Sequence, residues 1–187
     1  PRFDIHVGKN SKITILEHYI GSTNVSYLTN AVSQFNLANN SQLSHIRLQE
    51  EDDASHHIGF TSYNIEADSL LKSSFITDGA LLCRNDIKIN FTAQGSHAQI
   101  NGLSITKDNQ HHDKHIIVNH SNSECQSDQL FKFVLSGDAS GVFNGKVVVG
   151  EDTKSTNANQ SNKNLVLSPS AVMNANQNSN IKRDLFN

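Results

Sequence analysis

Apolar and polar residues alternate along most of this chain with a period of two. Lys12–Ile20 alternates at its start, Asp86–Thr92 and Ala98–Ile105 alternate cleanly, and Gln42–Leu48 does so with one slip. Val142–Val149 is a further strand candidate. This is the period of a strand with one face turned inward, and no window of a dozen residues makes an amphipathic helix with caps. Clusters of small polar residues separate the strands at Gly8–Ser11, Ala38–Ser41, Ala67–Ser69 and Ala93–Ser96. Phe3-Asp-Ile5, Phe35-Asn-Leu37, Tyr63-Asn-Ile65 and Ile89-Asn-Phe91 each precede such a turn. Their first residues lie 32, 28 and 26 positions apart. A loose repeat near thirty residues with two strands per repeat predicts an all-β solenoid. Each coil would bury a thin stripe of Ile, Leu and Val, with Asn and Ser at the corners. A β-sandwich is the rival, because it also uses short strands with frequent turns.

Composition fits a folded protein with a thin core. The 187 residues are 36% hydrophobic and 6% aromatic, without Trp. Asn and Ser each occur 23 times against 2 Pro, and only 18% of residues are charged. A net charge of −3 without a basic patch argues against nucleic acid and anionic membranes. The apolar runs are far too short to span a bilayer. The Pro1 start reads as the start of a fragment. Cys83 and Cys125 have no paired spacing, which points to a reducing cytosolic or organellar compartment.

The densest chemistry lies in Gln110–Cys125, with four histidines, one aspartate, one glutamate and one cysteine. On a strand, His111, Asp113 and His115 share one face and His112 takes the other. Zinc needs three or four N, S or O ligands, so His111 and His115 with Glu124 or Cys125 would suffice only if the chain folds back. The His-x-x-x-His spacing lacks a helix and the HExxH context. A surface or structural role is therefore the first reading, a metal-transfer surface the second and a hydrolytic centre the last. Cys83 and Cys125 read first as small buried hydrophobes. Two cysteines exclude a four-cysteine cluster site within one chain, although a site shared with a partner stays open. The acidic run Glu50–Asp53 beside His56 and His57 reads as a solvated loop, and Lys182-Arg183 as a solubilising end.

Several segments in order carry a resemblance. These are Ile15-Leu-Glu-His-Tyr19, His56-His57, Gly79–Asn85, Gln110–His120, Cys125–Lys132, Val142–Val149, Thr156–Gln160 and Asn164–Ser168. Together they resemble the SufB/SufD family of iron–sulfur cluster assembly proteins, most of all its SufD branch, over nearly the whole chain. The resemblance implies a right-handed parallel β-helix, one core domain over 1–187, and a non-catalytic scaffold subunit. It implies pairing with a SufB-like subunit and a SufC-like ATPase. Iron–sulfur cluster and ATP would belong to the parent complex, with no cofactor on this chain, in the cytoplasm or an organelle stroma. The expected interface runs along the C-terminal strands through Val142, Phe143, Asn144, Val147, Val149 and Ile181, where a homodimer could also form. The weak metal candidates are His111, His115 and Cys125.

The chain departs from the family pattern at its end. Asn176–Ile181 stands where the family continues through a proline, and Asn157 replaces an aspartate. The cysteine-and-histidine segment and the flanking helical regions of the family have no counterpart here. The polar run Asn174–Asn180 would suit a solvated last coil. Two alternatives remain: a secreted or surface adhesin-type solenoid, and a polysaccharide-acting β-helix enzyme. The latter would need paired carboxylates roughly 5–9 Å apart on one face.

Overall fold

The computed structural model describes residues 1–151 and 153–181, and Lys182-Arg183 lies outside them. The strands are β1 (Arg2–Val7), β2 (Lys12–Ile20), β3 (Leu28–Leu37), β4 (Gln42–Glu50), β5 (His56–Ile65), β6 (Leu70–Asp78) and β7 (Leu82–Phe91). They continue as β8 (His97–Thr106), β9 (His111–His120), β10 (Gln126–Leu135), β11 (Ser140–Val149), β12 (Asn157–Val166) and β13 (Val172–Ile181). No helix occurs among the described residues. The odd strands form a seven-stranded sheet and the even strands a six-stranded one. Every strand pairs in parallel with the strand two along, so each coil contributes one strand to each sheet. All-parallel pairing rules out the sandwich, whose consecutive strands run antiparallel, and makes the molecule a β-solenoid.

The expected repeat is present, with one shift at its start. Phe35, Tyr63 and Ile89 occupy one column, but their partner on β1 is Ile5, and Phe3 pairs with Ser33. The turns work because asparagine and aspartate tolerate left-handed backbone. Asn10, Asn40 and Asp68 have φ of 60°, 58° and 56° at equivalent corners, and Asp108 has 53° at the opposite corner.

The two sheets face each other across a single core. The expected stripe of Ile, Leu and Val is only part of it. Phe35, Tyr63, Phe75, Phe91, Phe131, Phe133 and Phe143 all point inward and are at most 1% exposed. Few aromatics suffice because seven of the twelve are spent inside, whereas Phe3 and Phe60 are exposed. Phe131 of β10 meets Phe143 of β11 across the sheets at 5.0 Å between centroids. Gly102, in register with Phe131, leaves room for that ring: a Cβ there would lie 2.2 Å from Phe131 Cδ1.

Asparagine also has a place beyond the corners. Asn36, Asn64, Asn90 and Asn119 stack in one outward column on β3, β5, β7 and β9. Each amide donates to the carbonyl oxygen of the one before it, at 2.9, 2.9 and 2.8 Å. In-register stacking thus turns one residue type into a continuous amide ladder.

Substitution should separate the two kinds of column. Phe131→Ala should cost about 3–5 kcal/mol, and Asn90→Ala, which breaks two ladder bonds, about 1–2 kcal/mol. Urea titration followed by circular dichroism checks both; equal losses would contradict this division.

Candidate functional site

Strand β4 reverses the pattern read from its apolar residues. Leu43, His45, Arg47 and Gln49 point inward, while Ile46 and Leu48 point out. There is no slip in the strand: its inward face carries polar groups. Arg47 is 2% exposed. Its guanidinium donates to Thr61 Oγ1 at 2.9 Å and to His57 Nε2 at 2.8 Å, and lies 4.7 Å over the Tyr19 ring. Because His57 Nε2 accepts, Nδ1 carries the proton and donates to Glu51 Oε2 at 2.5 Å. Burial and the Arg47 charge push the His57 pKa down against the pull of Glu51, which keeps the ring neutral. Thr29 Oγ1 donates to the other Glu51 oxygen. Gly59 leaves the space: a Cβ there would sit 2.6 Å from Arg47 Nη2 and from Asn85 Oδ1.

Glu17 closes the far side, 3.8 Å from Arg47 Nε and 3.5 Å from His45 Nε2. Burial alone would raise its pKa, but His45, Ser33 and Arg47 outweigh it and bring it down to about 2. The acidic run is solvated only in part, at the exposed Glu50 and Asp53. Glu51 is 4% exposed and built into the interior. Asp52 accepts the Asn24 and Ala54 backbone N–H groups, and Asp53 accepts from Gln110 Nε2 at 2.7 Å.

A second set follows on the next coils. His57, Cys83 and His112 occupy one inward column on β5, β7 and β9. Asn85 Nδ2 donates to Cys83 Sγ at 3.2 Å, and burial raises the thiol pKa. The buried thiol is therefore protonated and unreactive at neutral pH. His112 donates from Nε2 to the Gly79 carbonyl at 2.9 Å and accepts at Nδ1 from Thr106 Oγ1 at 3.1 Å. Burial, with Lys114 nearby, brings its pKa down to about 3. Lys114, 1% exposed, donates to Thr77 Oγ1 at 2.8 Å, and burial lowers it to about 8. Arg47 Nε, Asn85 Oδ1 and Ser104 Oγ have no hydrogen-bond partner, so this part of the interior has polar capacity to spare.

The structure separates the metal candidates. His111 and His115 face outward on β9, as period two requires. His111 Nδ1 meets Ser140 Oγ at 2.7 Å, while His115 Nε2 lies 2.9 Å from Asp113 Oδ1. Cys125 is buried beyond the end of β9, its thiol directed at the carbonyls of Ala93 and Ser123. Among the described residues, no group of three or more His, Cys, Asp or Glu side chains is arranged to hold a metal ion.

The C-terminal residues also divide. Phe143 and Val147 face the core, whereas Val142 and Asn144 face outward and are half-buried. Strand β11 is bonded to β9 on one side and β13 on the other. Its Val149 lies opposite Ile181, the last residue of β13. The open edges at this end belong to β12 and β13, and the side chains of β13 from Asn174 to Ser179 are exposed apart from their own packing.

A family model described as SUF system FeS cluster assembly, SufBD core domain, matches residues 1–185. The chain belongs to this SufBD core family. It is 32% identical over 182 residues to an iron-sulfur cluster assembly SufBD family protein of Synechocystis sp., covering 93% of this chain and 40% of the relative. It is 28% identical over 167 residues to the iron-sulfur cluster assembly protein SufD of Escherichia coli, covering 89% and 39%. It is 30% identical over 190 residues to the chloroplastic protein ABCI7 of Arabidopsis thaliana, covering 98% and 39%. The chain thus spans about two fifths of the length of these relatives.

The buried ionisable groups of this SufBD core predict its pH dependence. For His112 and His120, burial lowers the folded pKa from 6.5 to about 3 and about 4. The unfolded chain therefore binds protons first, and stability falls as pH drops below about 6.5. His112 alone should contribute a slope of about 1.4 kcal/mol per pH unit in that window. Glu17 adds a loss between pH 4.5 and about 2. Urea midpoints from pH 8 to pH 4 check this, with a shallower slope expected for His112→Gln; a profile flat to pH 5 would contradict it. Lys114 works at the other end. Its folded pKa is depressed, so stability should rise with pH between about 8 and 10.5. Lys114→Met should stabilise the protein at pH 7 by about 1–3 kcal/mol and abolish that rise. Destabilisation would mean the buried amine is more fully compensated than its single Thr77 bond indicates.

Proposed function

We propose that this chain is the β-helix core of a SufD-like scaffold subunit in iron–sulfur cluster assembly, acting by holding a SufB-like partner and not by catalysis. The observation that carries this reading is the SufBD core match over residues 1–185, joined to the open parallel edges of β12 and β13. An unpaired strand edge offers main-chain hydrogen bonds to a partner strand, and alternate side chains supply specificity. In this reading the partner adds to β13 beside Ile181. Val142, Asn144 and Val149 flank the contact from β11, and Phe143 and Val147 stiffen it from within. A second copy of the chain could use the same edge. A SufC-like ATPase, the ATP it uses and the cluster under assembly belong to the parent complex. Residues 1–187 act as one core domain of a longer subunit in the cytoplasm or a stroma, wound right-handed as parallel crossovers nearly always are. His111, His115 and Cys125 are then parts of the scaffold surface and turns.

Calorimetric titration of this chain with a SufB-like core domain tests the reading. Binding is expected, with Asn176→Lys plus Asn178→Lys on the edge strand weakening it at least roughly tenfold while circular dichroism stays unchanged. A chain that ignores the SufB-like partner yet binds a glycan or cell-surface protein would belong to the adhesin or polysaccharide class instead.

A further inference from the structure

A trough of about 420 Å³ lies on the outer face of the odd-stranded sheet, across β5, β7, β9 and β11. Three columns of the stack build it. Phe60, Asp86, His115 and Asn144 form one, Arg84 and Asp113 part of a second, and Lys88, Ile117 and Lys146 a third.

One wall is ion-paired, with two carboxylates around one guanidinium. Arg84 binds Asp86 Oδ1 and Asp113 Oδ2, both at 3.0 Å, and His115 lies against Asp113 at 2.9 Å and Asp86 at 3.9 Å. The opposite wall is not. Lys88 and Lys146 have no ion pair among the described residues, and the exposed Ile117 separates them. Ile117, 40% exposed, is the apolar step between the lysines, and Phe60, 39% exposed, stands on β5 beside Asp86.

From this arrangement we propose that the trough binds an acidic peptide segment of a partner protein, with an apolar side chain over Ile117 and carboxylates on Lys88 and Lys146. The spacing favours a peptide over a single small anion. Lys88 and Lys146 are two strand separations apart, roughly 9.5 Å between backbones, with the exposed Ile117 between them, and a small anion would leave that apolar side chain uncovered. Two acids flanking an apolar residue on a flexible chain match the cation–apolar–cation order of the column. The closed ion-pair wall supplies no competing free cation, so the charge preference is set by the two lysines.

The probe is a fluorescein-labelled peptide alternating glutamate and leucine, with a glutamine-for-glutamate version beside it, read by fluorescence anisotropy on the whole chain. The glutamate peptide is expected to bind and the glutamine peptide not. Lys88→Glu with Lys146→Glu should weaken binding at least roughly tenfold, and Ile117→Ser should weaken it too. Lys132→Glu with Lys163→Glu, exposed on the other sheet, should leave it within about twofold. Absence of binding, equal loss in both lysine pairs, or indifference to Ile117→Ser would overturn the proposal. Displacement by glutarate at concentrations no higher than the peptide's would also overturn it, in favour of a small dicarboxylate site.

Discussion

Everything in this molecule depends on parallel, in-register pairing of each strand with the strand one coil away. That pairing satisfies the main chain, and it sorts the side chains into columns that run along the solenoid. Within a column each residue has the same neighbours above and below, so chemistry compounds along it. Four asparagines become a hydrogen-bonded ladder. Inward aromatics on facing sheets become one continuous core. Stability in such a stack is close to a sum of coil and interface contributions, which makes the middle coils firm and the end coils adaptable.

The same constraint gives the polar interior its meaning. Arg47, His57, Glu51, Cys83, His112 and Lys114 sit at inward positions of consecutive coils, where apolar residues would pack at lower cost. Arg47 and His57 are joined through several hydrogen bonds that leave only Arg47 Nε over, whereas Lys114 relies on one hydroxyl. Specific polar contacts and aromatic packing thus share the interior, as where Phe35 stacks on Tyr63 and lies against His45. The cationic wall outside, at Lys88 and Lys146, is on the opposite face of the same sheet as Lys114 and the core isoleucines. Inside and outside are coupled only through the alternation of side chains, so a surface partner can engage without disturbing the core.

Much of the fold was legible in the sequence because the turns announce themselves and the period is two. The limits of β2 and the turns before β4, β6 and β8 follow directly from the residues. The first coil misled by two positions, because Phe3 imitates the residue that the stack aligns with Phe35, which is Ile5. The interior site was harder to see. In β4 the apolar residues Ile46 and Leu48 face solvent and the polar ones face in, so hydrophobicity alone assigns the wrong face. Glu51 looked like part of a charged loop, since nothing in Glu50–Asp53 distinguishes the one acid that meets His57. The usable signal was the constancy of phase: inward Leu43 fixes His45, Arg47 and Gln49 as inward too. The division of His111, Asp113 and His115 from His112 was readable because it needs only that alternation.

The central claim is that stacked coils, firmest in the middle, carry the structure despite the charges buried there. Native-state hydrogen exchange resolved strand by strand tests it most directly. The slowest amides should lie in β5 through β9, with β1, β2, β12 and β13 opening first. Fastest opening around Arg47 and Lys114, or uniform protection along the chain, would contradict it.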